Sequence, residues 1–117
     1  MNETRLKEYF ELYRKPLFDE SMINKLLELK DKLEQIHQNG NKTMVMGNGG
    51  SAATASHFAN DLAFGTNEYK KPFKVMSITD NVAVLTALGN DYGFDEIFIR
   101  QLKIYAKKGD VLVGISA

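Results

Sequence analysis

Two stretches at the start of the chain place apolar residues three and four positions apart, the spacing of one helix face. The first stretch, residues 4–17, carries Leu6, Phe10, Tyr13 and Leu17. The second, which begins near the N-cap candidate Asp19, carries Met22, Leu26, Leu29, Leu33 and Ile36. Asn39-Gly40 is a typical helix stop. The pattern predicts two amphipathic helices ahead of the rest of the chain.

Beyond residue 40, short apolar runs alternate with helical patterns, which is typical of parallel strands joined by helices. The predicted strands cover residues 43–46, 73–78 and 111–115, and the predicted helices cover residues 51–64, a short segment after Asn81 and a segment capped by Asp95. Gly89–Gly93 is predicted as a loop. We expect an α/β fold, a parallel sheet with helices on both faces. Because three strands make a small sheet, we also expect the chain to be part of a larger domain.

The two N-terminal helices have two interpretations. Their apolar stripes pack on the domain itself, or they bury those stripes against a second subunit. We favour the second interpretation, because so long a helical segment is a large cap for a chain of 117 residues and a helical stripe needs a partner.

A glycine-rich turn, Gly47-Asn48-Gly49-Gly50-Ser51, separates an apolar run from an alanine-rich helical pattern. Glycines let the backbone bend sharply and leave its N–H groups uncovered. A helix that begins there points its free N–H groups and the positive end of its dipole at the same place. The turn is therefore a predicted anion site, with phosphate as the natural occupant. The alternative is a glycine turn that serves only close packing of helix on strand.

The same turn resembles two nucleotide-binding motifs only in part. Gly47-x-Gly49-x-x-Ala52 matches the dinucleotide fingerprint, but the acidic residue expected about 20 residues later has no counterpart before Asp80. A P-loop is excluded because no Gly-Lys-Ser/Thr follows. We therefore expect the phosphate of a small ligand.

One face of the predicted helix after the turn carries Gly50, Thr54, His57 and Asp61, at spacings of four, three and four. His57 and Asp61 can contact each other or a common ligand. They form either a proton-transfer or metal-binding pair beside the phosphate, or an ordinary solvated ion pair. The sequence pattern leaves both interpretations open.

Further polar residues follow the predicted strands. Ser77, Thr79 and Ser116 lie at strand ends, and Asn90-Asp91 is predicted in a loop on the same side. Because the carboxyl ends of parallel strands share one edge of the sheet, we expect these groups to converge near the anion site, where they suit a sugar phosphate.

Charge and composition narrow the function classes. Fifteen basic residues balance fifteen acidic ones, which gives no excess positive field for nucleic acid or an anionic membrane. There is no cysteine, and hence neither a disulfide nor a cysteine-based metal site. We also expect no signal peptide and no membrane-spanning segment, and therefore a cytoplasmic protein with no nucleic-acid or membrane partner.

Three ordered motifs resemble the sugar isomerase (SIS) domain family, and within it the phosphoheptose isomerases. They are Gly47-Asn48-Gly49-Gly50-Ser51-Ala52-Ala53 with His57-Phe58-Ala59, then Gly89-Asn90-Asp91-Tyr92-Gly93-Phe94, then 109–116. The resemblance implies a flavodoxin-like sheet, a homotetramer built on the N-terminal helices, and a phosphosugar site at subunit interfaces. It divides the chain into oligomerisation helices, residues 1–40, and the N-terminal part of a SIS domain, residues 41–117.

The resemblance also implies roles for individual residues. The substrate-binding positions are Asn48, Gly49, Gly50, Ser51, Asn90, Asp91 and Ser116, and the catalytic positions are His57 and Asp61. Some members bind zinc, for which His57 and Asp61 are the ligand candidates. The family has glutamate where this chain has Asp61, whose side chain is shorter by one methylene, about 1.5 Å.

Two functions follow as expectations. The first is an aldose–ketose isomerase of a sugar phosphate, of the sedoheptulose 7-phosphate type, in which Asp61 moves a proton between adjacent carbons. The second is a non-catalytic phosphosugar-binding SIS module that acts as a regulatory or partner-binding oligomer. The aspartate at position 61 favours the module, and the presence of His57 favours the enzyme.

Overall fold

The structure, a computed structural model, describes residues 2–66 and 71–117. In chain order the elements are α1 Glu3–Leu17, α2 Glu20–Gln38, β1 Thr43–Gly47, α3 Gly50–Phe64, β2 Val75–Ser77, α4 Val82–Tyr92, a 3-10 helix Phe94–Glu96, α5 Ile99–Tyr105 and β3 Val111–Ile115. The chain divides into two compact units, Met1–Glu34 and Gln35–Ala117.

A three-stranded parallel sheet in the order β2–β1–β3 forms the centre of the second unit. Thr43 of β1 pairs with Val75 on one side and Val111 on the other. Met44 and Val45 of the central strand are fully buried, which explains why this run is apolar on both faces. The predicted parallel α/β arrangement, with helices flanking the sheet, is confirmed.

Helix α3 follows the glycine-rich turn and contacts the sheet through its alanine face. Ala55 and Ala59 are buried, and side chains this small let the helix approach the strands closely. Thr54, His57 and Asp61 are exposed on the other face. The predicted division of this helix into an apolar and a polar face is therefore confirmed.

The first unit consists of α1 and most of α2. The Asn2 side chain accepts a hydrogen bond from the Arg5 N–H at 3.0 Å and caps α1, and Asp19 accepts one from the Ser21 N–H at 2.9 Å. No residue of α1 is buried. The exposed apolar side chains of these two helices are Leu6, Tyr9, Phe10, Leu12, Tyr13, Leu17, Met22, Ile23, Leu26, Leu27 and Leu29. Both predicted helices are confirmed. The stripe of α1 and the stripe of α2 as far as Leu29 are exposed in the single chain, whereas Leu33 and Ile36 are buried.

The predicted loop Gly89–Gly93 is wrong for all but its last residue, because α4 continues to Tyr92. Gly89 lies inside this helix. A Cβ added at Gly89 would have room, because its nearest neighbour, a methyl group of Ile97, would be 3.8 Å away. The last turn is held by the Arg100 guanidinium, which lies 3.5 Å from the centre of the Tyr92 ring. Gly93, with φ of 109°, ends the helix.

Two further sequence-based boundaries differ from the structure. Asp95 does not cap a helix but lies within the 3-10 helix, and α5 begins only after Phe98. The second strand is shorter than predicted, because the backbone N–H of Phe73 donates to the Thr66 hydroxyl at 3.3 Å instead of joining the sheet. The Phe73 ring stacks on His37, with 4.3 Å between ring centroids. His37 is therefore half-buried.

A hydrogen-bonded ion pair joins the amino ends of β1 and β3, at the sheet edge opposite the glycine-rich turn. The Asp110 carboxylate accepts from the Lys42 ammonium, from the Asn41 amide at 3.0 Å, and from the backbone N–H groups of Lys42 and Lys107 at 3.1 and 2.8 Å. Its side chain is only 4% exposed. The carboxylate therefore links the turn before β3 to the start of the central strand.

Among the helices that the structure describes, none has both the length and the apolar composition needed to cross a membrane.

Candidate functional site

An open cleft of about 1040 Å³ lies at the carboxyl ends of β1 and β3. Parallel α/β sheets bind their ligands at this edge, where the strands give way to loops. The side chains and backbone that line it belong to Met46, Gly47, Asn48, Gly50, Ser51, Thr54, Phe98, Gly114, Ile115, Ser116 and Ala117. The cleft therefore contains the predicted anion-binding turn and Ser116 together.

The turn between β1 and α3 has a backbone that requires glycine at two positions. A Cβ on Gly47 would lie 2.5 Å from the Ser51 carbonyl oxygen, so any side chain there would force β1 and α3 apart. Gly49 has φ of 57° and ψ of −125°, a conformation that side chains exclude. Hydrogen bonds from the Ser51 N–H to the Asn48 carbonyl, and from the Ala52 N–H to the Gly49 carbonyl, both 3.0 Å long, close the turn.

The amides at the start of α3 are available for a ligand. The backbone N–H groups of Gly49 and Gly50 donate to no acceptor within residues 2–66 and 71–117. They lie at the positive end of the helix dipole, beside the Asn48 and Ser51 side chains that line the cleft. This combination of donors suits a phosphate group.

A second, shallow hollow of about 450 Å³ lies further along the exposed face of α3. It is lined by Ala53, Thr54, His57, Phe58 and Asp61. Thr54 lines both the hollow and the main cleft, so the two are adjacent. His57 Nε2 lies 3.3 Å from Asp61 Oδ2, and the two side chains are 78% and 63% exposed. The structure therefore brings the predicted carboxylate–imidazole pair together on the surface of this chain.

The described residues contain no group of three or more histidine, cysteine, aspartate or glutamate side chains arranged to hold a metal. His57 and Asp61 supply two donors, whereas a zinc site needs three or four. These residues alone therefore do not form a complete zinc site.

Asn90 and Asp91 lie apart from the cleft lining. Both are exposed in the last turn of α4, and the Asn90 amide donates to the Asp91 carboxylate at 2.9 Å. Their predicted place in a loop beside the anion site depended on α4 ending earlier than it does. Asn90 and Asp91 face away from the cleft of this chain. They could contribute to a binding site only through a ligand, or a second subunit, that reaches them from outside the chain.

Ser77 and Thr79, expected to face a ligand, hydrogen-bond to other groups within the chain. Thr79 Oγ1 lies 2.6 Å from Ser77 Oγ and 3.2 Å from an Asp80 carboxylate oxygen, and Asp80 also accepts from the Ser56 hydroxyl. Sequence reasoning missed Ser56, as well as Phe98 in the cleft wall, and considered Asp80 only as the acidic residue of a dinucleotide-binding motif. The position of Asp80, shortly after the end of β2, was a usable signal.

The parallel sheet, the glycine turn with free amides and the adjacent carboxylate–imidazole pair define an α/β domain suited to a phosphorylated ligand. The profile of the SIS domain family matches residues 14–117, and the chain belongs to this family.

Individual relatives agree with this assignment. The chain is 45% identical over 92 residues to a phosphoheptose isomerase of Geotalea uraniireducens, a match that covers 79% of this chain and 49% of the relative. It is 38% identical over 117 residues to a phosphoheptose isomerase of Campylobacter concisus, covering 99% and 62%. The solved phosphoheptose isomerase of Neisseria gonorrhoeae superposes with a TM-score of 0.83 at 32% identity, covering 98% of this chain and 60% of that one. The chain thus spans half to three-fifths of the length of these relatives.

Proposed function

We propose that the protein carrying this chain interconverts the aldose and ketose forms of a sugar phosphate, of the sedoheptulose 7-phosphate type. The observation that carries the proposal is that the anion-binding turn and the Asp61 carboxylate share one exposed face of α3, with Thr54 between them. The names of the relatives support the same reaction class.

The two parts of the proposed site lie far apart along α3. Gly50 and Asp61 are eleven residues apart, which at 1.5 Å per residue is about 16 Å along the helix axis. His57 lies one turn closer to the phosphate site. A seven-carbon sugar phosphate extends only roughly 10 Å from its phosphorus to its reacting carbons, because each bond is about 1.5 Å long. The turn that holds the phosphate and the Asp61 that meets the reacting carbons would therefore belong to neighbouring subunits.

The proton transfer is assigned to Asp61. Its carboxylate removes the proton from the carbon next to the carbonyl. The released electron pair forms a carbon–carbon double bond, and the carbonyl π pair moves to its oxygen, which gives an enediolate. The same carboxylate returns that proton to the former carbonyl carbon while a second proton passes from the neighbouring hydroxyl to the oxyanion, so one proton moves between carbons, one moves between oxygens, and nothing is oxidised or reduced overall. Donors placed at the developing oxyanion would stabilise the enediol.

His57 would orient the substrate hydroxyls or bind a metal. Since the described residues supply only two zinc donors, any zinc would need ligands from another segment or subunit, and no step is assigned to it. Asn90 and Asp91 would contact sugar hydroxyls brought by a neighbouring subunit, and Ser116 would contact the phosphate. The cytoplasmic location stays a prediction.

We further propose that the exposed stripes of α1 and α2 join copies of this chain into a homo-oligomer, with four subunits as the expected number. Exposed apolar surface of this extent is unusual for a monomer. Replacing Phe10 and Leu26 by glutamate should lower the molar mass measured by light scattering. Lys32→Glu, on the polar side of α2, is the matched control. A wild-type monomer at micromolar concentration, or an unchanged mass in the double variant, would contradict this assignment.

The function is tested by assaying the whole protein with sedoheptulose 7-phosphate, following both turnover and binding. The wild type should do both. Gly47→Ala should weaken binding strongly, because its Cβ would meet the Ser51 carbonyl oxygen at 2.5 Å. Gly89→Ala, which adds the same methyl group in a helix with room for it, should leave both intact. Binding without turnover would instead favour a regulatory phosphosugar-binding module.

A further inference from the structure

A cluster of three hydroxyls and one carboxylate joins the end of β2 to α3. The Ser77 and Thr79 hydroxyls lie 2.6 Å apart, and the backbone N–H of Thr79 donates to Ser77 Oγ at 3.2 Å. One Asp80 carboxylate oxygen accepts from the Ser56 hydroxyl and lies 3.2 Å from Thr79 Oγ1. None of these four side chains lines the phosphate cleft.

The cluster contacts the first turn of α3 through one backbone group. The Ser56 hydroxyl lies 3.1 Å from the Ala52 carbonyl oxygen, and the Thr79 hydroxyl lies 3.4 Å from it. The N–H of the same Ala52 donates to the Gly49 carbonyl and closes the glycine turn. Ala52 thus lies against the cluster on its carbonyl side and is hydrogen-bonded into the glycine turn on its amide side.

The protons of the cluster can be assigned without leaving a group unpaired. Each hydroxyl donates one hydrogen bond and can accept two. Ser77 donates to Thr79, Thr79 donates to Asp80, and Ser56 also donates to Asp80. The carboxylate therefore ends the chain of hydroxyls, and hydrogen bonds to a charged acceptor are about twice as strong as neutral ones. Thr79 is only 9% exposed, so water does not readily replace its hydrogen bonds.

We propose that Ser56, Thr79 and Asp80 are positioning residues that hold the first turn of α3 against β2 and so set the direction of the phosphate-binding amides. The inference rests on the proposed function, in which those amides bind the phosphate of the substrate. Gly47 fixes the same turn from the side of β1, by close contact with Ser51. The hydroxyl cluster fixes it from the side of β2.

The test is Thr79→Val, which removes the hydroxyl and keeps the branched shape. The Kd for inorganic phosphate and the KM for sedoheptulose 7-phosphate should each rise about three- to tenfold, the effect of one lost hydrogen bond, with a smaller change in kcat. Thr86→Val is the matched control. The Thr86 hydroxyl donates to the Val82 carbonyl at 2.7 Å on the exposed face of α4, away from the cleft. Its loss should leave Kd and KM unchanged.

Two further variants separate positioning from simple stability. Thr79→Ser restores the hydroxyl and should restore both constants. Ser56→Ala removes the hydroxyl that α3 contributes to the cluster. If Thr79→Val does not fold, the same Kd and KM measurements on Ser56→Ala test the inference. In the double variant the two effects should not add, because both hydroxyls donate to Asp80.

The outcomes that overturn the inference are distinct from those that overturn the function. A lower Tm with unchanged Kd and KM in Thr79→Val or Ser56→Ala would show that the cluster is structural only. That result would leave the isomerase assignment untouched. A wild-type protein that binds neither inorganic phosphate nor sedoheptulose 7-phosphate would overturn the proposed function, and this inference with it.

Discussion

Replacing Asp61 by alanine should lower the turnover of sedoheptulose 7-phosphate by about 10²- to 10⁴-fold, the usual contribution of a positioned general base. The loss should appear in kcat, because the phosphate is held by the distant glycine turn and binding remains. Stability should change by less than about 0.5 kcal/mol, because Asp61 and His57 form an exposed i,i+4 pair. Steady-state kinetics and thermal unfolding of the whole protein measure both quantities.

Two variants sharpen this prediction. Asp61→Asn keeps the size of the side chain and removes the base, so its turnover should fall as far as that of the alanine variant. Asp31→Ala removes an exposed aspartate that pairs with Lys30 at 3.2 Å, and it should leave turnover unchanged. If Asp61→Asn keeps turnover within tenfold of the wild type, Asp61 is not the base.

Asp110→Asn should lower the free energy of unfolding at neutral pH by about 3 kcal/mol, because it removes one partner of a shielded, hydrogen-bonded ion pair. Burial raises the pKa of the Asp110 carboxyl, but hydrogen bonds from Lys42, Asn41 and the backbone N–H of Lys107 outweigh it. The pKa is therefore held well below its ordinary value of 3.8. Urea unfolding of the wild type and the variant at pH 7 and pH 3 measures the difference.

The sign of the pH dependence follows from the lowered pKa. The unfolded chain binds a proton at Asp110 near the ordinary value, whereas the folded protein does so only at lower pH. The stabilising contribution is therefore complete above about pH 5, and it declines as the pH falls below 3.8 toward the folded pKa. The difference between wild type and variant should shrink at pH 3, and a difference that is constant with pH would contradict this account. Asp31→Asn, an exposed carboxylate, is the control at both pH values.

The sequence predicted those parts of the candidate site that are formed by residues close together in the chain. The glycine turn and the stripe of Thr54, His57 and Asp61 depend on backbone freedom and helical periodicity, which involve residues close in sequence. The cleft and the 3.3 Å His57–Asp61 contact agree with that prediction. The roles of these residues in binding and catalysis stay predictions.

Sequence reasoning failed where a distant residue decides the local structure. The last turn of α4 persists because Arg100, eight residues beyond Tyr92, packs on its ring, and that contact places Asn90 and Asp91 in a helix. Ser77 and Thr79 were expected to face a ligand, but Ser77 hydrogen-bonds to Thr79, and Thr79 hydrogen-bonds to Asp80. The spacing of apolar residues along the chain does not reveal which polar side chains will hydrogen-bond to each other.

The amino-acid sequence by itself determined the parallel α/β class, the N-terminal amphipathic helices and the glycine turn ahead of α3, because periodicity and glycine content act over a few neighbouring residues. Only the tertiary structure decided which polar groups are free for a ligand. That outcome depends on contacts between segments more than twenty residues apart, such as Ser56 with Asp80 or Lys42 with Asp110, each of which occupies polar groups that a ligand could otherwise contact.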